Sequence, residues 1–211
     1  MSTTSASKRI MASLSSSNNY HHGDLHQTLL DAASAMVAEE GIDGLSLRKL
    51  AERVGVSRTA PYHHFKDKQT LLCAIAAEGF RLRTKQAQVL FADETISPQQ
   101  RFRSFFRDYI AFATKSPQMY ELMFGGTIWH SEHQNDELRQ VAYPCFQQQL
   151  GMTKQWQQQG LLPADQDPLR LAQVTWGTMH GIARLVNDGV YADSSHVAEM
   201  IDCAVALFVR K

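Results

Sequence analysis

Apolar residues recur at helical spacing along most of the chain, and nowhere do they alternate long enough to suggest a strand. Leu25, Leu29, Ala32, Ala33 and Met36 form the first stripe, with Asp24 as its expected N-cap, Gln27 completing a capping-box variant and Gly41 as its stop. A second, short helix follows the cap Ser46, puts Leu47, Leu50, Ala51 and Val54 on one face, and ends at Gly55. A third is expected from Ser57 to about Phe65. Asp67 caps a fourth that carries Leu71, Leu72, Ile75 and Phe80 toward Phe91. Pro98 opens a fifth, through Lys115, bearing Phe102, Phe105, Phe106, Ile110 and Phe112.

Pro117 fits the first turn of a sixth helix with Met119, Tyr120, Leu122 and Met123, closed by Gly125 and Gly126. Residues 127–135 read as a loop. The seventh helix covers residues 136–159, where Pro144 either kinks it or marks its true start. An eighth starts at Pro168 and ends at Gly189; the ninth runs from about Ser195 to Arg210. The expected fold is all-α with about nine helices. Residues 1–19, rich in Ser and Thr, read as a disordered tail. Residues 20–68 form an N-terminal three-helix domain, and residues 69–211 a larger helical one.

Composition adds little to that picture. The 211 residues are 44% hydrophobic and 20% charged, with formal net charge +0, so any argument for nucleic acid must be local. Cys73, Cys145 and Cys203 are far apart and fit no metal-ligand spacing, which suits a reducing compartment. No apolar run approaches the ~18–20 residues of a membrane span, and no secretory h-region follows the N-terminal Lys8 and Arg9. A cytoplasmic protein is expected. No nucleophile–base constellation or phosphate-cradling glycine loop is signposted, so an enzyme is not expected. His130 and His133 in "WHSEH" read as surface histidines; no metal and no cofactor are expected.

The local argument lies in "VGVSRTAPYHHFKDKQTLL", residues 54–72. Two short helices joined across Gly55 and Val56 are a helix-turn-helix arrangement. Leu29, Ala33, Leu50, Ala51, Val54, Val56 and Phe65 can close its core, leaving the rest of the third helix outward. From Ser46 to Lys68, Arg48, Lys49, Arg53, Arg58, Lys66 and Lys68 face only Glu52 and Asp67. Such a helix is either a solvated one whose rings happen to cluster or a recognition helix. As the latter, Arg58 reaches a guanine edge and the Thr59 methyl meets thymine, while Tyr62, His63, Lys66 and Lys68 donate to phosphates.

The stretch "GLSLRKLAERVGVSRTAPYHHFKDKQTLL", preceded by "LLDAASAMVAEEG", resembles the N-terminal domain of the TetR family of transcriptional regulators. That resemblance implies phosphate contacts from Ser46 and Arg48, groove docking by Arg58, Thr59, Tyr62 and His63, and a backbone anchor at Lys68. Further on, "WGTMHGIARLVNDG" resembles a subgroup with a Trp-x3-His-Gly signature.

In the second half, the eighth helix carries two apolar stripes and so needs two partners. Gly177 and Gly181 permit close approach of another helix. With Leu185 and, on the ninth helix, Ile201, Ala204, Val205 and Phe208, they suggest a four-helix dimer interface; the bland alternative is ordinary core. Phe105, Phe112, Met119, Tyr120, Met123, Tyr143, Trp176, Met179 and His180 are candidates for an apolar ligand pocket, and equally for plain core. The resemblance implies a small-molecule effector. The combined expectation is a homodimeric, ligand-responsive regulator, most naturally a repressor, bound to a palindromic double-stranded operator. The rival readings are a DNA-coating protein without an effector and a helical small-molecule carrier.

Overall fold

A computed structural model of the chain describes residues 22–129, 136–191 and 194–209. The expected tail over residues 1–19, His21, His130 and His133 lie outside the described residues. All the regular structure described is helical. None of the described helices is long and apolar enough to cross a membrane.

The head is built by α1 (His22–Gly44), α2 (Leu47–Val54) and a 3-10 turn (Ala60–His63). α1 is already helical before Asp24, so Asp24 is not its cap; Gly41 interrupts it with φ 73°. α2 is short and strongly two-faced: Leu47, Leu50 and Ala51 are buried, and Arg48, Lys49, Glu52 and Arg53 are exposed. Ser46 caps it by accepting from Lys49 N at 3.2 Å. Gly55 ends it at φ 76°, and both Gly55 N and Val56 N donate to Ala51 O. A Cβ at Gly55 would meet nothing within 4 Å, so the left-handed backbone alone selects glycine there.

The third helix differs from its expectation. An α-helix starting after Ser57 needs an N–H at position 61 to reach Ser57 O, and Pro61 has none. Ala60 N takes that carbonyl instead at 3.0 Å, followed by Tyr62 N to Thr59 O at 3.1 Å. The segment is therefore a 3-10 turn of four residues. Pro61 is buried, as is Phe65, 1% exposed. Val54 and Val56, expected in that core, are only partly buried.

The body begins with α3 (Lys68–Ala92), capped by Asp67, which accepts from Thr70 N at 2.7 Å. α3 is buried along Leu71–Ala77 and again at Gly79 and Phe80. α4 (Pro98–Lys115), α5 (Pro117–Phe124), α6 (Gly126–Trp129) and α7 (Asp136–Gln158) follow. Ser97 and Gln100 close a reciprocal capping box on α4. The short α6 replaces the start of the expected loop. α7 runs through Pro144, which is exposed. α8 (Pro168–Asn187) and α9 (Val197–Phe208) pack on α4.

One hydrophobic core runs from head to body without a break. α3 is its spine, packed by α7, α5, α1 and α4. Gly79 lets α5 in close: a Cβ there would lie 2.5 Å from Met123 Sδ. At the far end Trp156 is 2% exposed and ringed by Phe102, Phe91 and Phe105 at centroid distances of 4.9, 5.6 and 5.8 Å. Trp156→Ala is expected to cost about 3–5 kcal/mol of stability, read as a lowered urea midpoint at unchanged slope; an unchanged midpoint would mean the ring cluster is not a structural centre.

Candidate nucleic-acid interface and body cavity

Two of the six head cations are paired within the protomer. Arg53 donates two parallel hydrogen bonds to the Glu39 carboxylate of α1, at 2.6 and 2.7 Å, and Lys49 reaches Glu40 at 3.1 Å. The hydrogen bond from Arg53 holds the Glu39 carboxyl below its ordinary range. These contacts clamp α2 to α1 on one side of the head. Arg48, Arg58, Thr59, Tyr62, His63 and Lys66 are all exposed. Arg58 is 78% exposed in its side chain and only grazes Glu52 at 4.0 Å. Thr59 Oγ1 is 3.2 Å from Ser57 Oγ. Tyr62 is 56% exposed, large for an aromatic ring with no covering partner in the protomer.

His64 turns the other way. Its ring and that of His26 meet edge-on at 5.8 Å, and His26 lies 5.0 Å from Phe65. The polar rings that crowd this turn in the sequence are thus split, Tyr62 and His63 outward, His64 inward. Lys68, the first residue of α3, is half-buried at the edge of the same surface. Ser46 is half-buried because its hydroxyl caps α2, which leaves it less exposed than its neighbour Arg48.

The body holds a cavity of about 410 Å³, within the ~300–1,000 Å³ of small-molecule sites. It opens between α3, α4, α5, α6, α7 and α8. Of the expected pocket residues, Phe105, Met123, Tyr143 and Trp176 line it. Tyr143, 65% exposed, stands at the rim. Phe112, Met119, Tyr120, Met179 and His180 do not line it. Met179 is fully buried core, and Met119 is occupied against α3 beside Gly79. Phe112 is packed under the Arg83 guanidinium. The wall is completed by residues outside the expected pocket set, among them Phe80, Arg83, Tyr109, Phe124, Trp129, Cys145, Phe146 and Gln148. A larger, shallower depression of about 710 Å³ lies between α4, α8 and α9, and none of the expected pocket residues lines it.

Tyr120 and His180 form a second layer behind the wall. Trp176 Nε1 donates to Tyr109 Oη at 2.9 Å. Tyr109 Oη lies 3.2 Å from Tyr120 Oη, and Tyr120 Oη lies 2.5 Å from His180 Nδ1. Burial, and then the nearby Arg184, push the His180 pKa down, which favours the neutral ring. Trp176 and His180 are one helical turn apart, which is what lets both reach the tyrosines of α4 and α5. Arg184 of α8 also forms an ion pair with Glu121 of α5.

Arg83 is 6% exposed. A guanidinium so placed carries a desolvation penalty of several kcal/mol, which here pulls its pKa down. Its centre lies 5.3 Å from the Tyr109 ring and 5.5 Å from that of Phe112. Such cation–π contacts return about 2 kcal/mol when desolvated.

The expected interface residues divide. Ile201, Ala204 and Val205 are buried in the protomer's own core, because α9 lays that face on α4. That face is covered within the protomer. Phe208 is half-buried against Phe102 and Phe106. The outward face of α9 carries Cys203, Ala206 and Leu207, the last 81% exposed. On α8, Gly177 is exposed, Gly181 and Leu185 are half-buried, and Val174 is 58% exposed. A Cβ at Gly177 or Gly181 would meet nothing within 4 Å, so no contact inside the protomer calls for glycine at either position.

Burial of Tyr109 sets a pH limit. Its phenol ionises near 10 when unfolded and is pushed up to about 12 in the folded chain, chiefly by burial. The folded form therefore holds the proton more tightly between those values. Stability is whole below pH ~10 and falls by about 2–3 kcal/mol as pH rises toward 12; Tyr120, raised in the same direction, adds to the fall. Urea unfolding at pH 9–11.5 should show this decline, shallower in Tyr109→Phe. A flat profile would contradict the burial argument.

Known proteins match the chain in both halves. Residues 29–75 match the family described as bacterial regulatory proteins, tetR family. Residues 102–208 match the tetracyclin repressor-like C-terminal domain, a description not particular to the Trp-x3-His-Gly subgroup. The class A tetracycline repressor protein from transposon 1721 of Escherichia coli is 51% identical over 49 residues, 23% of each chain. The HTH-type transcriptional repressor AcnR of Corynebacterium diphtheriae is 46% identical over 52 residues, 25% of this chain and 27% of that one. The match thus spans about a quarter of the length of these curated relatives. A solved structure of a protein of unknown function from Rhodococcus sp. RHA1 superposes over nearly the whole fold, with TM-score 0.79, 31% identity, and coverage of 90% of this chain and 96% of that one.

Proposed function

The chain belongs to the tetR family of bacterial regulatory proteins, and on that premise we propose that it is a sequence-specific DNA-binding repressor that works as a homodimer and is released by a small molecule held in the body cavity. The carrying observation is the outward face of the head. Arg58, Thr59, Tyr62 and His63 stand exposed on one short turn, flanked by Arg48 and Lys68, while the acidic residues of α1 hold Arg53 and Lys49 on another side. That is a cationic projection on a rigid base, sized for a major groove. In this reading Arg58 and Thr59 meet base edges. Ser46, Arg48, Tyr62, His63 and Lys68 hold the phosphate backbone. The tetracycline repressor and AcnR, each similar to about a quarter of this chain, are named as repressors.

One such turn reads only a few base pairs. Two, set about one helical turn apart (~34–36 Å), read an inverted repeat and gain specificity accordingly. The outward face of α8, with Val174, Gly177, Gly181 and Leu185, together with Cys203, Ala206 and Leu207 of α9, is the proposed surface for the second subunit. A glycine inside a helix costs ~1 kcal/mol relative to alanine, and Gly177 and Gly181 have no reason for it within the protomer. A closely packed partner helix supplies one.

Release follows from α3. The helix begins at Lys68 in the head and brings Phe80, Arg83 and Ala87 to the cavity, with Arg83 ~22 Å along its axis from Lys68. α5 contributes Met123 and Phe124 to the cavity wall and packs against both α1 and α3. A ligand that displaces α5 or α7 tilts α3 and changes the spacing of the two heads. The ligand must bind the released state more tightly, and a coupling of ~1–3 kcal/mol is enough to matter. A protein that merely coats DNA has no use for such a cavity, and a carrier has no use for the head. The protein acts in this reading as a binding protein in the cytoplasm, not as an enzyme.

On operator DNA, Arg58→Ala is expected to cost about 1–3 kcal/mol and relax one base preference. Lys68→Ala should weaken all sequences alike and reduce the salt slope by about one unit. Fluorescence anisotropy at several salt concentrations reads both, and wild-type behaviour in both variants would refute the head assignment. Gly181→Glu should fold normally, its Cβ meeting nothing within 4 Å, yet sediment as a monomer; an intact dimer would refute the α8 surface.

A further inference from the structure

Among the described residues, Arg83 is the only charged group lining the cavity. No carboxylate is bonded to it, although the Asp108 charge lies near enough to favour the guanidinium form. Both of its hydrogen bonds leave from Nη1, to Gln86 Oε1 at 2.9 Å and to Asp108 O at 3.3 Å, and neither acceptor is charged. The Asp108 carboxylate is turned instead to Arg107 Nε at 3.0 Å. Tyr109 and Cys145, which face the guanidinium, both keep their protons at neutral pH because burial pushes each pKa up. The Nε–Nη2 edge makes no bond, and that edge is the side of a guanidinium that accepts a carboxylate with two parallel hydrogen bonds. Gln148, in the same wall, donates Nε2 to Thr84 O, one residue along α3 from Arg83, and leaves Oε1 buried with no partner.

We propose that the effector is a small organic monoanion, with a carboxylate paired to the Nε–Nη2 edge of Arg83 and an apolar body lying against Phe105, Trp129 and Trp176. This inference rests on the reading of the cavity as the effector site. A single negative charge is set by the single cation: a dianion such as a phosphate monoester would need a second one. The rest of the wall is ring and aliphatic surface, which selects an aromatic or alkyl body and rejects a polyol or a second charged end. Because α3 carries Arg83, the ion pair forms on the same helix that enters the head.

The test uses the purified full-length protein and two acid–amide pairs: decanoate with decanamide, and 2-naphthoate with 2-naphthamide. Binding is read by isothermal titration calorimetry and by quenching of tryptophan fluorescence, Trp129 and Trp176 being in the wall. In at least one pair the acid is expected to bind about 10- to 100-fold more tightly than its amide. Arg83→Met should reduce that gap to under about 3-fold by weakening the acid alone, whereas Arg83→Lys should retain part of it. Should Arg83→Met fail to fold, as judged by circular dichroism, the wild-type acid–amide gap and the Arg83→Lys variant still decide. Amides binding as well as acids, or a gap that survives Arg83→Met, overturns the anion inference and leaves the cavity reading intact. Absence of binding by all four probes overturns the cavity reading and the inference with it.

Discussion

The structure depends on one constraint: α3 belongs to the head and to the body at once. It is 25 residues long, or ~37 Å, and between Leu71 and Phe80 it is buried almost all round. A helix in that position cannot tilt at one end alone. Leu71, Leu72 and Ile75 lie in a core shared with α1 and α2, and Phe80 and Arg83 look into the cavity. Gly79 makes room on α3 for the Met119 and Met123 side chains of α5, so the two helices are packed closely together. Head and cavity are therefore two ends of one packed object, and what occupies one end has a mechanical route to the other.

The two ends handle charge in opposite ways. At the head, the cations that serve folding are neutralised locally, Arg53 by Glu39 and Lys49 by Glu40, and the remainder project into solvent. Solvated cations cost little and are free to replace the counterions of a duplex. In the body, the charge of Arg83 is withdrawn from water and cushioned by Tyr109 and Phe112. The hydrogen-bonded set of Trp176, Tyr109, Tyr120 and His180 is satisfied from within, which fixes the wall of α4, α5 and α8 rather than leaving it to adapt.

Much of this was legible in the sequence because it is written in short-range chemistry. Ser46, Gly55, Asp67, Pro98, Pro117 and Pro168 punctuate helices by local rules, and they lie where those rules put them. The misses are of two kinds. The third helix became a 3-10 turn because one absent N–H, at Pro61, forbids the α pattern, a matter of hydrogen-bond arithmetic that hydrophobic spacing does not register. The cavity wall and the α9 surface were missed in part because periodicity identifies a stripe without saying what covers it. Ile201, Ala204 and Val205 face α4 while Leu207 faces out, though both runs are equally apolar. Arg83 gave no signal at all: a lone cation on an amphipathic helix reads as solvated, and only the tertiary packing shows it buried.

The most direct measurement is a selection of bound fragments from a pool of random duplex DNA at fixed salt. A paired set of projecting turns on a rigid dimer predicts enrichment of an inverted repeat, its halves centred one helical turn or a whole multiple apart, ~10–10.5 base pairs per turn. Recovery of unenriched sequence, or of a single site without a second, symmetry-related half, would contradict the account.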